Sequence, residues 1–191
     1  MNKGFTIIEM LIVIGMLVFL MGIAMYVFQV IITTWVSTEG RTGISLRTDR
    51  AMNMMVRDVR EASSIGQARQ HEIRFSVKRR QSDGTAIPDT YDHFIYYFYN
   101  AADVYPSNFA QSLYDLRRAT LSGVTGSDLS TGTFTYASGQ FVAGGMLSPH
   151  TASPAHPSDL AVNGGVATLD LSIKSGDETI RTRTEITPRN L

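Results

Sequence analysis

The distribution of apolar and polar positions changes character along the chain. Residues 10–28 (MLIVIGMLVFLMGIAMYVF) are apolar or glycine throughout. At about 1.5 Å of rise per residue, such a run crosses the roughly 30 Å hydrocarbon layer of a bilayer as a helix. A polar junction follows at 33–43, and helical spacing resumes over 44–63, where Thr48, Met52, Met55, Val59 and Ala62 recur at intervals of three and four. That stripe is expected to face a folded domain. Arg50, Asn53, Arg57, Asp58, Arg60 and Glu61 are read as the solvated side of the same helix, with Arg57 and Glu61 at i and i+4.

Beyond residue 70 the period becomes two. Ile73, Phe75 and Val77 alternate with Glu72, Arg74, Ser76 and Lys78, which predicts a strand. Ser82-Asp83-Gly84 predicts a turn, and residues 91–99 (YDHFIYYFY) a second strand buried on both faces. Further strands are expected at 113–118 and 132–136, and a closing hairpin from 166–173 and 179–187 turning at Ser175-Gly176-Asp177. The stretch 122–165 is rich in Gly, Ser and Thr and carries Pro149, Pro154 and Pro157, so it is expected to form surface loops. The fold class is then α+β: a long N-terminal helix continuing into an amphipathic helix laid on an antiparallel sheet.

Lys3 precedes the apolar run, and Glu9 is the only acidic residue near its start. A positive flank holds the N-terminus in the cytoplasm and sends the C-terminal bulk across, and Glu39 and Asp49 offset the opposing Arg41, Arg47 and Arg50. A cleaved secretory signal fits less well. The basic region is only Met1-Asn2-Lys3, the run is long for a signal, and the bulky residues 26–35 offer no small-x-small cleavage site.

Glu9 needs a reason, because a carboxylate is costly in an apolar layer even near its edge. The bland reading is a carboxylate snorkelling to the interface. The context is the string Lys3-Gly4-Phe5-Thr6-Ile7-Ile8-Glu9-Met10-Leu11-Ile12-Val13-Ile14, which resembles the class III leader of type IV prepilins and type II secretion pseudopilins. That resemblance implies cleavage after Gly4 by a membrane-embedded prepilin peptidase and N-methylation of the new N-terminal Phe5. It also implies a role for Glu9 in neutralising the amine of a neighbouring subunit during assembly. Pairing a carboxylate with a cation in low dielectric recovers part of its desolvation cost, which gives that role a physical basis. Gly15 and Gly22, seven apart, can serve as close-packing points between helices, the default reading, or as places where the helix softens. No proline precedes Pro88, which is closer to a pseudopilin helix than to the proline-containing helix of many pilins.

The order strand, Asp-Gly turn, aromatic strand, Leu113-Tyr114-x-x-Arg117 segment, closing hairpin and terminal Pro188-Arg189-Asn190 is similar to J-type minor pseudopilins and W-type minor pilins. The implied division is a leader (1–4), a transmembrane helix (5–32), an extracytoplasmic helix (33–63) and a β-rich head (64–191). The implied partners are the prepilin peptidase, other minor subunits, the major pilin or pseudopilin, and an inner-membrane assembly platform driven by a cytoplasmic ATPase. The implied location is the inner membrane and then the filament, at its tip.

Composition narrows the chemistry. Lys+Arg and Asp+Glu both number 17, so there is no excess charge to grip nucleic acid, and the compact basic run Lys78-Arg79-Arg80 reads as a solubilised strand edge. Cysteine is absent, which removes disulfides and thiolate chemistry. His71, His93, His150 and His156 lack metal-ligand spacing, and Asp83-Gly84 and Asp177-Glu178 are too sparse in oxygen ligands for calcium. No phosphate loop, nucleophile elbow or carboxylate pair stands out. The expectation is a filament subunit without catalysis, metal or cofactor. The rival readings are a tip adhesin or DNA-uptake subunit using loops in 122–165, and an anchored enzyme whose leader match is fortuitous.

Overall fold

The computed structural model describes residues 6–103, 109–130, 133–149, 157–175 and 178–189. The chain divides into two compact units between Gly43 and Ile44, although one helix, α1 (Ile7–Arg60), runs through the division. In the first unit Ile7–Trp35 is a predominantly apolar stretch of 29 residues with an 18-residue window of mean hydropathy 2.7, and none of it is buried. The polar junction is helical as well, and its threonines return their hydroxyls to carbonyls of the preceding turn. Thr33 donates to Gln29 O at 2.9 Å, Thr34 to Val30 O at 2.8 Å, and Thr38 to Thr34 O at 2.8 Å.

The second unit is α1 from Ile44 onward, laid on an open, curled antiparallel sheet. Its strands are β1 (Ser64–Gly66), β2 (Glu72–Arg80), β3 (Ala86–Tyr99), β4 (Leu113–Thr125), β5 (Gln140–Leu147), β6 (Asp159–Asn163), β7 (Val166–Ser175) and β8 (Glu178–Ile186). They are ordered β1-β2-β3-β4-β5-β7-β6, with β8 beside β7. Thr48, Met52, Met55, Val59 and Ala62 are all buried, as their spacing requires. The four apolar ones meet Phe75, Tyr96, Phe98, Leu116, Leu169 and Leu171 in the main core. The curl brings β6 back toward the start of β2: Gln67 Oε1 accepts from Val162 N at 3.2 Å, and His71 Nδ1 lies 2.7 Å from Asp159 Oδ1.

The aromatic strand is buried on both sides, as expected. Tyr96 and Phe98 enter the main core, whereas Ile95 and Tyr97 join Ala119 and Phe134 in a smaller cluster on the opposite sheet face. The β2–β3 hairpin turns where predicted. Gly84 takes φ +86°, Asp83 Oδ1 accepts from Thr85 N at 2.8 Å, and that bond holds the Asp83 carboxyl below its ordinary value.

Two expectations need correction. The stretch 122–165 is not simply loop, because it contains the end of β4, all of β5 and all of β6. Residues 133–136 are not a strand; they belong to a strap across the outer sheet face. Arg74 donates to Leu129 O and the Tyr136 hydroxyl, both at 3.2 Å. Arg117 donates to Ala137 O at 2.8 Å, and the Tyr97 hydroxyl donates to Tyr136 O. The alternation of Phe134 and Tyr136 reflects a segment anchored by its aromatic side chains, not a ladder.

Candidate functional site

The candidate site is the start of α1. Thr6 stands at the N-cap and Glu9 at the third helical position, the arrangement of a capping box. Glu9 N donates to Thr6 Oγ1 at 3.3 Å, while Glu9 Oε2 accepts from Thr6 N and from Thr6 Oγ1, each also at 3.3 Å. The carboxylate therefore satisfies helix-end donors within its own chain and sits at the positive end of the helix dipole. The spacing Thr6-x-x-Glu9 carried this information.

A capped carboxylate is still exposed, as are the neighbouring side chains of Ile7, Ile8, Met10 and Leu11. A side chain added at Gly15 or Gly22 would meet nothing within 4 Å, so the chain by itself supplies no close neighbour at either glycine. Lys3, Gly4 and Phe5, the leader and cleavage residues expected from the sequence, lie outside the described residues.

In the second unit, Asp58 overturns its assignment to the solvated helix face. It is buried, 3.1 Å from Arg118 Nη2, and its Oδ2 accepts from the Tyr96 hydroxyl at 2.9 Å. Tyr96 and Arg118 face each other across β3 and β4, so one register pair of the sheet grips one helical carboxylate. Burial, and then the negative charge of Asp58, holds the Tyr96 hydroxyl well above the ordinary tyrosine range. Asp58 is three residues after Met55 and four before Ala62, which places it at the edge of the buried stripe. That geometry was the available signal.

A second buried pair, Glu72 and Arg74, is joined at 2.8 Å and anchors the outer strap. Past the helix, Arg189 N donates to Arg60 O at 3.2 Å, so the C-terminal segment satisfies one of the last carbonyls of α1. Arg57 and Arg60 in that last turn complement the dipole.

His71 pairs with Asp159, and His93 Nε2 lies 3.2 Å from Gly126 O; His150 and His156 fall outside the described residues. Among the described residues no three His, Cys, Asp or Glu side chains gather as a metal site would require. Asp177, one of the two acids weighed for calcium at the last turn, is also outside them. Lys78, Arg79 and Arg80 are exposed at the end of β2.

Comparison with family models, with curated proteins and with solved structures gave no match. The apolar helix and the folded unit together define a membrane-anchored protein with a helix–sheet head.

Proposed function

We propose that this chain is a minor pilin or pseudopilin, a subunit that helps to initiate or cap a type IV pilus or a type II secretion pseudopilus. The observation that carries the reading is the string Lys3-Gly4-Phe5-Thr6-Ile7-Ile8-Glu9 leading into the 29-residue, predominantly apolar helix stretch Ile7–Trp35. Two further features support it. The apolar surface of that helix is exposed all round, which suits burial first in lipid and then among other helices. The folded unit is a helix on an antiparallel sheet, the architecture that the resemblance implies.

On this reading the prepilin peptidase removes residues 1–4 and methylates Phe5. Glu9 then exchanges its internal capping partners for the amine of an adjacent subunit, and the head remains extracytoplasmic. The work is protein–protein assembly with other minor subunits, the major subunit and the inner-membrane platform, not catalysis. The adhesin reading would draw on the parts of 122–165 outside β5 and β6, which take 13 of its 44 residues.

The test is intact mass and N-terminal sequencing of protein from native membranes, with and without the prepilin peptidase. A mature chain beginning at N-methylated Phe5 only when the peptidase is present is the expected result. Met1 retained in both strains would remove the reading.

A further inference from the structure

Open β-sheets have edges, and an edge strand offers unpaired N–H and C=O groups to any strand that reaches it. Two of the edges here are blunted. β1 is only three residues long. The outer side of β6 is occupied by the Gln67 side chain, whose amide imitates a strand by donating to Leu160 O at 3.4 Å and accepting from Val162 N at 3.2 Å.

β8 is different. It spans nine residues and pairs with β7 without a bulge from Ser175↔Glu178 to Ala167↔Ile186. Among the described residues β7 is its sole strand partner, and it contains no proline. Its alternate backbone groups point away from the sheet along this edge.

We propose that the free edge of β8 pairs with β8 of a second copy of this chain, antiparallel and centred on Thr184. Among centres from Thr182 to Glu185, the charges favour this register. With Thr184 on the two-fold axis, Arg183 of each copy stands opposite Glu185 of the other, Thr182 stands opposite Ile186, and Arg181 opposite Thr187. Centring on Arg183 or Glu185 sets like charges against each other on the axis, and centring on Thr182 sets Arg181 against Arg183. Centring between residues would oppose the two sheet faces, which paired strands do not allow.

The exposures agree with the register. The side chains of Arg183 and Glu185 are 55% and 58% exposed and 3.0 Å apart within one strand, so two copies would bring four charges into an alternating cluster. Arg181 is held by Asp170 of β7 and is not needed for the contact. An isologous contact of this kind closes on itself and does not propagate. It describes a paired state of two anchored copies that is distinct from a filament, and it stands whether or not the filament reading does.

The absence of cysteine gives a clean test on the full-length chain in detergent or liposomes. Thr184→Cys, placed on the axis, should form an oxidised dimer. Thr179→Cys should not, because the two copies of that position would lie roughly 33 Å apart along the strands. In the Thr184→Cys background, Arg183→Glu alone and Glu185→Arg alone should each lower dimer yield about tenfold, since each makes both cross-strand pairs repulsive. An equal mixture of the two variants should restore the dimer, because each supplies the charge the other has lost. That recovery would also show that both variants are folded. Equal cross-linking at 184 and 179, no cross-linking at 184, indifference to the single reversals, or no recovery in the mixture would each overturn the proposal.

Discussion

The Asp58 carboxylate on α1 and the Tyr96 hydroxyl on β3 are joined at 2.9 Å inside the main core, with Arg118 completing the contact at 3.1 Å from Asp58. This contact fixes the rotation and height of the helix on the sheet. Apolar packing alone tolerates small slides, whereas a buried carboxylate must meet its partners or remain uncompensated. Asp58→Ala should cost about 2–4 kcal/mol by leaving Arg118 without its acid and the Tyr96 hydroxyl without its acceptor. Tyr96→Phe, which removes only the hydroxyl, should cost about 1 kcal/mol. Urea unfolding of the detergent-solubilised chain followed by tyrosine fluorescence measures both, and equal losses for the two variants would contradict the assignment.

Gly139 gives a steric prediction. A β-carbon there would meet the Tyr97 hydroxyl and stand 3.3 Å from Arg118 O, so Gly139→Ala has to displace the strap or the ring. A loss of about 1–3 kcal/mol is expected. Pairing it with Tyr97→Phe, which vacates the nearest atom, should return part of that loss, and a double-mutant cycle reads the coupling directly.

The same tyrosines predict weakness to alkali. Burial pushes the Tyr97 hydroxyl up to about 12 and the Tyr96 hydroxyl higher still. Ordinary tyrosines titrate near 10. A group whose pKa is raised on folding keeps more protons when folded, so its stabilisation is complete below pH about 10 and is lost progressively as pH rises toward the folded value. Stability should therefore fall above pH about 10, and late-titrating tyrosinate absorption should appear together with loss of near-ultraviolet circular dichroism. Tyr97→Phe should flatten that slope.

Glu9→Gln separates capping from charge. Glutamine at the third helical position still completes a capping box, so helix content and membrane insertion should match the parent chain. If the proposed function holds, incorporation into filaments should fall at least about tenfold, because an amide does not neutralise a neighbouring amine. Quantitative immunoblotting of sheared filaments against whole membranes provides the ratio. Thr6→Val tests the other half of the box and should fray the first turn while leaving the charge in place.

Elements written in side-chain periodicity were legible in the sequence. The stripe from Thr48 to Ala62, the aromatic strand and the closing hairpin all repeat a residue type at the spacing their geometry needs. β5 was not legible: Gly144 and Gly145 sit in its middle, Gly145 at φ +77°, and paired glycines read as a loop even where the neighbouring strand covers them. Asp58 was misplaced because its partners are 38 and 60 positions away, and no local pattern encodes a contact made by the fold. The converse holds at 133–136, where alternating aromatics imitate a strand although their backbone pairs with no strand. At the candidate site the spacing Thr6-x-x-Glu9 is legible in the sequence and accounts for the local hydrogen bonding of the Glu9 carboxylate.

The two faces of β3 serve separate clusters, and that separation implies that the head can melt in two steps. The helix and inner sheet face share one core, while the strap is held by Arg74, Arg117, Tyr97 and a handful of apolar contacts around Phe134. Amides near the strap should exchange with solvent through small openings that leave α1 seated, whereas those of β7 should exchange only when the whole unit opens. A head built this way can loosen its outer cover without losing its grip on the helix that carries the anchor.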